Sequence, residues 1–324
     1  MRRFLAVPLV IVTCVISFAT SSYAIYAAPA SLAILSTQIN AALTTGKSPV
    51  SLGPAVTTEN NSEYSNPACL QRAKDVPTLS TCVFGDPAAA TTVVLYGDSN
   101  AAMWQPAFDK IGKARHFKVI LMARLGCTFT DVTLGNTWLG GKADANCATF
   151  RANAVAAITA LKKPRVVVAE LHRYPKSPSG AAISATAWNS ATVRSLTKLR
   201  SISSSLTWLL GVPAPPDQAI ATTIGQPALC LSQHLADTRP CNFSTARGIM
   251  TANQIDDQKS ATATGTSAIL VTSLFCQSGT LSPKTLCPLQ VNGVLPYADA
   301  WHVTASYATY ISTPLAQLLG RQIP

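Results

Sequence analysis

The chain has 324 residues, 48% of them apolar and 12% charged, with a formal charge of +11 at neutral pH. That length holds one large domain or two small ones, and the apolar share suffices for a sizeable core. Aromatic residues make up 7% of the chain and no basic stripe interleaves with them, which argues against nucleic-acid binding and for a solvated basic surface, densest at Lys162-Lys163-Pro164-Arg165.

The N-terminus reads as an export signal over residues 1–24. Arg2-Arg3 supply the positive start, Phe4 to Ala19 the apolar run, and Ser22-Tyr23-Ala24 the small residues a signal peptidase inspects. Cleavage is expected after Ala24, with Ala30 the alternative. The rival reading is an uncleaved anchor reaching about residue 35, because apolar character resumes through Ile25 to Leu35. Against it, the first run is shorter than the ~20 residues a span needs. Cys14 lies inside the apolar run without a lipoprotein-type context. Residues 25–68 read as a linker or loosely ordered lead-in, since 36–68 are rich in Ser, Thr, Asn, Pro and Gly without a clear period. The main domain is expected over 69–324.

From Thr92 onward short apolar runs alternate with helix-like stretches. The strands expected are Val93–Tyr96, Lys118–Met122, Arg165–Ala169, Thr207–Val212 and Ile269–Thr272. The helices expected are Trp104–Lys113, Cys147–Leu161, Trp188–Ser204 and Ala305–Leu319, the last kinked or broken near Pro314. Uniformly apolar strands alternating with helices imply a parallel sheet covered on both faces, a three-layer α/β/α sandwich of about five strands. In such sheets ligands bind at the carboxyl ends of the strands. Two long connections, Pro213 to Pro240 and Gln277 to Ala298, follow strand ends and are placed to wall such a site or to decorate the surface.

Outside the signal there are eight cysteines, an even number that suits disulfides in an exported chain. They fall into sequence neighbours, which predicts Cys69–Cys82, Cys127–Cys147, Cys230–Cys241 and Cys276–Cys287. Each closes a loop of roughly 10–20 residues, worth about 2–3 kcal/mol on the chain-entropy account. A zinc site is disfavoured: there is no Cys-x-x-Cys, and Cys230…His234…Cys241 lacks a fourth ligand nearby. No metal or cofactor is expected.

The chemistry is carried by two motifs far apart in sequence. Val93-Val94-Leu95-Tyr96 runs into Gly97-Asp98-Ser99, which places a serine hydroxyl in the turn between a strand and a helix. Serine needs a base to become a nucleophile, and the N-terminus of a following helix favours the oxyanion that forms there. Gly97 permits the sharp turn, and Asp98 ties it together through its carboxylate. Of the four histidines only His302 has an acid, Asp299, three residues before it. That spacing lets a carboxylate orient an imidazole while its other nitrogen faces the serine, a Ser–His–Asp arrangement in chain order Ser…Asp…His. Candidate oxyanion donors or substrate contacts are the N–H of Gly126 after the second strand, Arg124 beside it, and His172 after the third strand. Arg173 is a further cation there.

These residues carry a resemblance. Val93–Trp104 (VVLYGDSNAAMW), Arg124–Cys127, Val212–Pro216 and the ending Phe275-Cys276…Cys287…Tyr297-Ala298-Asp299-Ala300-Trp301-His302 resemble the SGNH (GDSL-like) hydrolase superfamily. More closely, they resemble the extracytoplasmic SGNH domain often fused to membrane acyltransferases of family 3, over roughly Cys69 to Gly320. The resemblance implies a flavodoxin-like sandwich with Ser99 as nucleophile, His302 as base and Asp299 as orienter. It implies acetyl-ester or related O-acyl chemistry on envelope glycans, without metal or cofactor. Two departures stand out. Asn100 occupies the place where the fused domains commonly carry His, and so becomes a further candidate for oxyanion or substrate contact. The wider superfamily takes an oxyanion donor from an Asn after the third strand, whereas Glu170–Tyr174 contains none.

The function expected is an exported serine esterase or O-acyltransferase acting on acyl groups of envelope carbohydrate. If transfer is the task, a separate membrane acyltransferase must supply the acyl group. The alternative is a catalytically idle module that binds or presents glycan to such a partner.

Overall fold

The structure is a computed structural model and describes residues 27–48, 52, 67–71, 82–135, 139–171, 175–213, 215, 226–245, 251–279 and 284–324. The export-signal reading of 1–24 lies outside these residues. Among them no helix is long and apolar enough to cross a membrane.

The centre is a seven-stranded sheet. Its five principal strands are β3 (Thr92–Gly97), β4 (Lys118–Arg124), β5 (Arg165–Ala169), β6 (Ser205–Leu210) and β8 (Ser267–Leu270), all parallel, in the order β4-β3-β5-β6-β8. Beyond β4 the edge is shared by two short strands. Parallel β1 (Leu70–Gln71) covers its C-terminal half and antiparallel β2 (Val83–Gly85) its N-terminal half. A separate two-stranded ribbon pairs β7 (Phe243–Ser244) with β9 (Leu286–Cys287).

The reason for three layers is legible in β3. Val93 and Leu95 point to one face and Val94 and Tyr96 to the other, all buried, so both faces must be covered. Burying each such aliphatic side chain contributes ~1.5–3 kcal/mol. On the second face lie Phe150, Ala154 and Ile158 of α4 (Ala145–Ala160), Leu196 and Leu199 of α5 (Ala185–Ile202), and Ala261 of α7 (Thr251–Ala263). On the first lie Phe108 and Ile111 of α3 (Gln105–Arg115), Tyr307 of α8 (Ala305–Tyr310) and Leu315 of α9 (Ser312–Leu319). The fold is therefore the expected sandwich. Because β3 leads first to β4 on one side and then to β5 on the other, the chain reverses direction beside Ser99, the place where open α/β sheets form their crevice.

Several elements differ from the sequence reading. The lead-in assigned to 25–68 contains α1 (Leu32–Thr45), capped by Ser31, whose hydroxyl accepts from Ile34 N at 3.2 Å. Leu35, Ile39 and Ala42 recur at helical spacing and are buried against the core, a stripe masked by the polar residues between them. Tyr310 Oη of α8 donates to Gln38 Oε1 at 2.8 Å and Leu32 N to Gln317 Oε1 of α9 at 2.8 Å, which docks α1 against both helices. Helix α7 supplies the crossover between β6 and β8 that a parallel pair requires, and its polar sequence hid it. The last helix breaks at Ile311 rather than at Pro314, which sits in the first turn of α9, where its missing N–H costs nothing.

All four disulfides join sequence neighbours: Cys69–Cys82, Cys127–Cys147, Cys230–Cys241 and Cys276–Cys287. The first clamps the β1 and β2 edge, and the second ties the turn after β4 to α4.

Candidate active site

Strand β3 ends at Gly97, whose φ of +153° and packing allow no side chain: a Cβ there would overlap the carbonyl oxygen of Ala169 on β5. The chain then turns into the short helix α2 (Ser99–Ala102), with Asp98 as its N-cap. Asp98 Oδ1 accepts from Asn100 N at 2.8 Å, and Oδ2 accepts from Leu171 N at 3.0 Å, so one carboxylate binds the serine turn to the segment after β5. Burial pushes the Asp98 acid up to about 6, against the opposing pull of these two N–H groups and of His302.

The second motif is held by a closed loop. Ala298 N donates to His302 O at 3.0 Å, Thr304 N to Pro296 O at 3.1 Å, and Thr304 Oγ1 to Leu295 O at 2.5 Å. Thr304 also caps α8 by accepting from Tyr307 N at 3.1 Å. Beneath the loop Tyr297 stacks on Phe275, with ring centroids 5.7 Å apart, and Phe275 meets Trp104 edge-on at 6.1 Å. The aromatic contacts thus join the Asp299–His302 loop to the helix that follows Ser99.

Within that frame Asp299 Oδ1 accepts from Trp301 N at 2.6 Å and from His302 N at 2.7 Å. Its Oδ2 faces His302 Nδ1 at 2.8 Å, and His302 Nε2 faces Ser99 Oγ at 3.0 Å. A carboxylate can only accept, so Nδ1 carries the proton and Nε2 presents its lone pair to the serine hydroxyl. Burial alone raises the Asp299 acid, but the hydrogen bond and charge of His302, with the two backbone N–H groups, outweigh it and hold the acid below the ordinary carboxylate value.

A family model for the SGNH domain (fused to AT3 domains) matches residues 68–317. The chain belongs to the SGNH family. It is an SGNH domain of the acyl-transfer or esterase type. Among solved structures, the chain is similar to the periplasmic domain of the lipopolysaccharide acetyltransferase of Salmonella ser. Paratyphi A. The two share 14% sequence identity at a TM-score of 0.51 over 74% of this chain and 85% of that one, a likeness of fold. No curated protein matches the chain by sequence.

The other candidate residues of this SGNH domain fare differently. Arg124 is fully buried, donating from Nε to Asp144 Oδ2 at 2.8 Å and from Nη2 to Asp144 Oδ1 at 3.1 Å. Asp144 is the N-cap of α4, so this cation ties β4 to α4 and is sealed from solvent in that pair, neither the solvated arginine nor the exposed candidate contact that the sequence offered. Asn100 is also turned inward. Its backbone N–H is taken by Asp98, and its amide nitrogen is sealed from solvent. Gly126 is exposed at φ +67°, two residues past β4, whose end pairs with that of β3 at Gly97↔Ala123. His172 and Arg173 lie outside the described residues. The side chains of Cys230, His234 and Cys241 converge within 4.8 Å, but the Cys230–Cys241 disulfide consumes both thiolates a metal would need.

Sequence reasoning passed over Glu170 as a working group. Its Oε1 accepts from Thr130 Oγ1 at 2.7 Å and its Oε2 from Thr130 N at 3.0 Å. Burial, against the pull of Thr130, pushes its acid well above the usual carboxylate range. The available signal was a carboxylate placed directly after the apolar run Val166–Ala169 of a parallel strand.

Proposed function

We propose that the chain is an exported, serine-dependent O-acyl esterase or acyltransferase acting on carbohydrate. The observation that carries this reading is the unbroken hydrogen-bonded chain Ser99–His302–Asp299, assembled from opposite ends of the sequence at the topological switch point. In the proposed reaction His302 Nε2 takes the proton from Ser99 Oγ as that oxygen attacks the acyl carbonyl. The tetrahedral oxyanion forms beside the N-terminus of α2, where Ser99 N–H and Gly126 N–H are the candidate donors. Nε2 then returns its proton to the leaving alkoxide, which departs as an alcohol and leaves an acyl-enzyme on Ser99. A water or sugar hydroxyl, deprotonated by the same nitrogen, attacks that ester and regenerates the serine. Asp299 holds the tautomer and stabilises the imidazolium throughout.

The fusion of this domain to AT3 domains in other proteins supports a membrane acyltransferase as partner, supplying the acyl group from a separate chain. Four disulfides support an extracytoplasmic location. The leader 1–24 is the proposed export signal, and the burial of Leu35 and Ile39 in the core supports counting α1 with the domain expected over 69–324. One observation favours a second reading, an idle glycan-presenting module: the segment after β5 offers Glu170-Leu171 in place of an asparagine donor. Fluorophosphonate labelling separates the two. An activated Ser99 labels, and Ser99→Ala both abolishes labelling and lowers kcat on a small acetyl ester by ~10⁶. A Ser99→Ala chain with wild-type turnover would exclude the mechanism, and an unlabelled wild-type serine would favour the idle module.

A further inference from the structure

The segment after β5 carries no asparagine, yet it grips the turns on both sides of it. Leu171 N donates to Asp98 Oδ2 at 3.0 Å, in the turn that carries Ser99. Glu170 accepts from Thr130 N at 3.0 Å and from Thr130 Oγ1 at 2.7 Å, in the turn that begins at Gly126. Thr130 Oγ1 in turn meets Thr192 Oγ1 of α5 at 3.1 Å, and both threonines are fully buried. Consecutive residues therefore hold the two turns on which the candidate oxyanion donors sit.

Resting on the acyl-transfer reading of Ser99, we propose that Glu170 is a positioning residue, a strut that fixes the turn of Gly126 relative to the turn of Ser99 and so sets the spacing of the two backbone donors. It takes the place of a side-chain donor after the third strand by holding donors from its neighbours in register.

The turn is tethered elsewhere but not registered. Cys127–Cys147 ties its start to α4, and Asp131 N donates to Ser195 Oγ at 2.9 Å at its end. Between these anchors Thr130 is held on the α5 side by Thr192 Oγ1 at 3.1 Å and on the β5 side by its two bonds to the Glu170 carboxyl, which tie its height to that strand. Losing the carboxyl leaves the fold closed while the turn shifts. A misplacement of about 1 Å at an active site costs ~10²-fold in rate. The hydrogen-bond pattern also says which substitution is tolerated. The carboxyl accepts from Thr130 N through Oε2 and from Thr130 Oγ1 through Oε1. A carboxamide keeps the first bond with its carbonyl oxygen and replaces the second by donating its NH₂ to Thr130 Oγ1, whose own O–H then turns to Thr192 Oγ1. Alanine does neither.

The test uses the full chain, with 4-nitrophenyl acetate turnover and amide hydrogen exchange of residues 125–131. Glu170→Ala is expected to lower kcat by ~10²-fold with KM nearly unchanged, and to speed exchange in that segment by about tenfold or more. Glu170→Gln is expected to restore both to within ~3-fold of wild type, the rescue that its carboxamide pattern implies. Unchanged exchange in Glu170→Ala overturns the strut. Faster exchange with wild-type kcat overturns it as well, because the turn would then be held for stability alone. A kcat loss in Glu170→Gln equal to that of Glu170→Ala also counts against it. If the wild-type chain turns over no ester, the acyl-transfer reading fails, and the exchange comparison still decides whether Glu170 holds the turn.

Discussion

Replacing Asp299 with asparagine tests the chemistry without dismantling the loop. The carboxylate makes two separable sets of bonds. Its Oδ1 accepts from Trp301 N and His302 N, at 2.6 and 2.7 Å, and these shape the turn. Its Oδ2 faces His302 Nδ1 at 2.8 Å, and this sets the tautomer. An asparagine oxygen at the Oδ1 position keeps both backbone bonds. Its NH₂ then lies where Oδ2 was and opposes Nδ1–H, donor against donor. The imidazole responds by moving its proton to Nε2, which now points an N–H at Ser99 Oγ and can no longer take the serine proton. In other enzymes with this triad the same change costs ~10⁴ in kcat, or about 5 kcal/mol of transition-state stabilisation. We expect that loss here with KM nearly unchanged, since no substrate contact is removed. Thermal unfolding should stay within a few degrees of wild type. Asp299→Ala should differ by losing the backbone acceptors too, at ~1–3 kcal/mol for each N–H left unpaired. Steady-state kinetics on a chromogenic acetyl ester, paired with thermal melts of both variants, reads all of this. Activity of Asp299→Asn within ~10-fold of wild type would refute the role given to the carboxylate.

Three further outcomes are expected. Asp98 has a folded-state acid near 6 against 3.8 ordinarily, so between those values the folded chain binds more protons than the unfolded one, and this group's contribution falls as pH rises through the window. The stability of wild type relative to Asp98→Asn should therefore drop by about 2 kcal/mol from pH 3.8 to 6, measured as urea midpoints at several pH values, and a flat difference would contradict it. Gly97→Ala should cost ~1–3 kcal/mol or more, because a Cβ overlaps the carbonyl of Ala169 at a positive φ, and an unchanged unfolding midpoint would show the strand end to be looser than drawn. Ile39→Ala, which empties a fully buried position of α1, should cost ~2–5 kcal/mol in the same assay, whereas a neutral result would return this segment to the status of a linker.

What the sequence displays well is whatever repeats at a short period or stands beside its own partner. The parallel strands show because each carries a short run of apolar residues, buried on both faces in the central strands and half-buried in β8. Their limits drift by up to two residues, as at Ile269–Thr272 against the observed Ser267–Leu270, because burial rather than hydrogen bonding marks the run. Helices α1 and α7 escape the same reading. One carries a sparse apolar stripe among polar residues, and the other is polar nearly throughout. The four disulfide pairings are legible because each links near neighbours.

The candidate site divides along the same line. Asp299 and His302 are three residues apart, so their contact is local and the spacing alone suggests it. The meeting of His302 with Ser99 spans 203 positions and is decided by the sheet, which brings the ends of the chain to one edge. Arg124 shows the opposite case. Its sequence position after β4 invites a substrate role, and only packing reveals that Asp144, twenty residues on, claims its guanidinium. Asn100 is a similar case: its sequence position invites a contact role, and only packing reveals that the residue is buried with its backbone N–H given to Asp98. By itself, then, the sequence determined the layers, the cross-links and the two motifs, because periodicity and near-neighbour spacing are local properties. Only the tertiary structure decided which polar groups meet one another and which face solvent, because a buried charge must be paired, and its partner comes from whichever element the fold brings alongside.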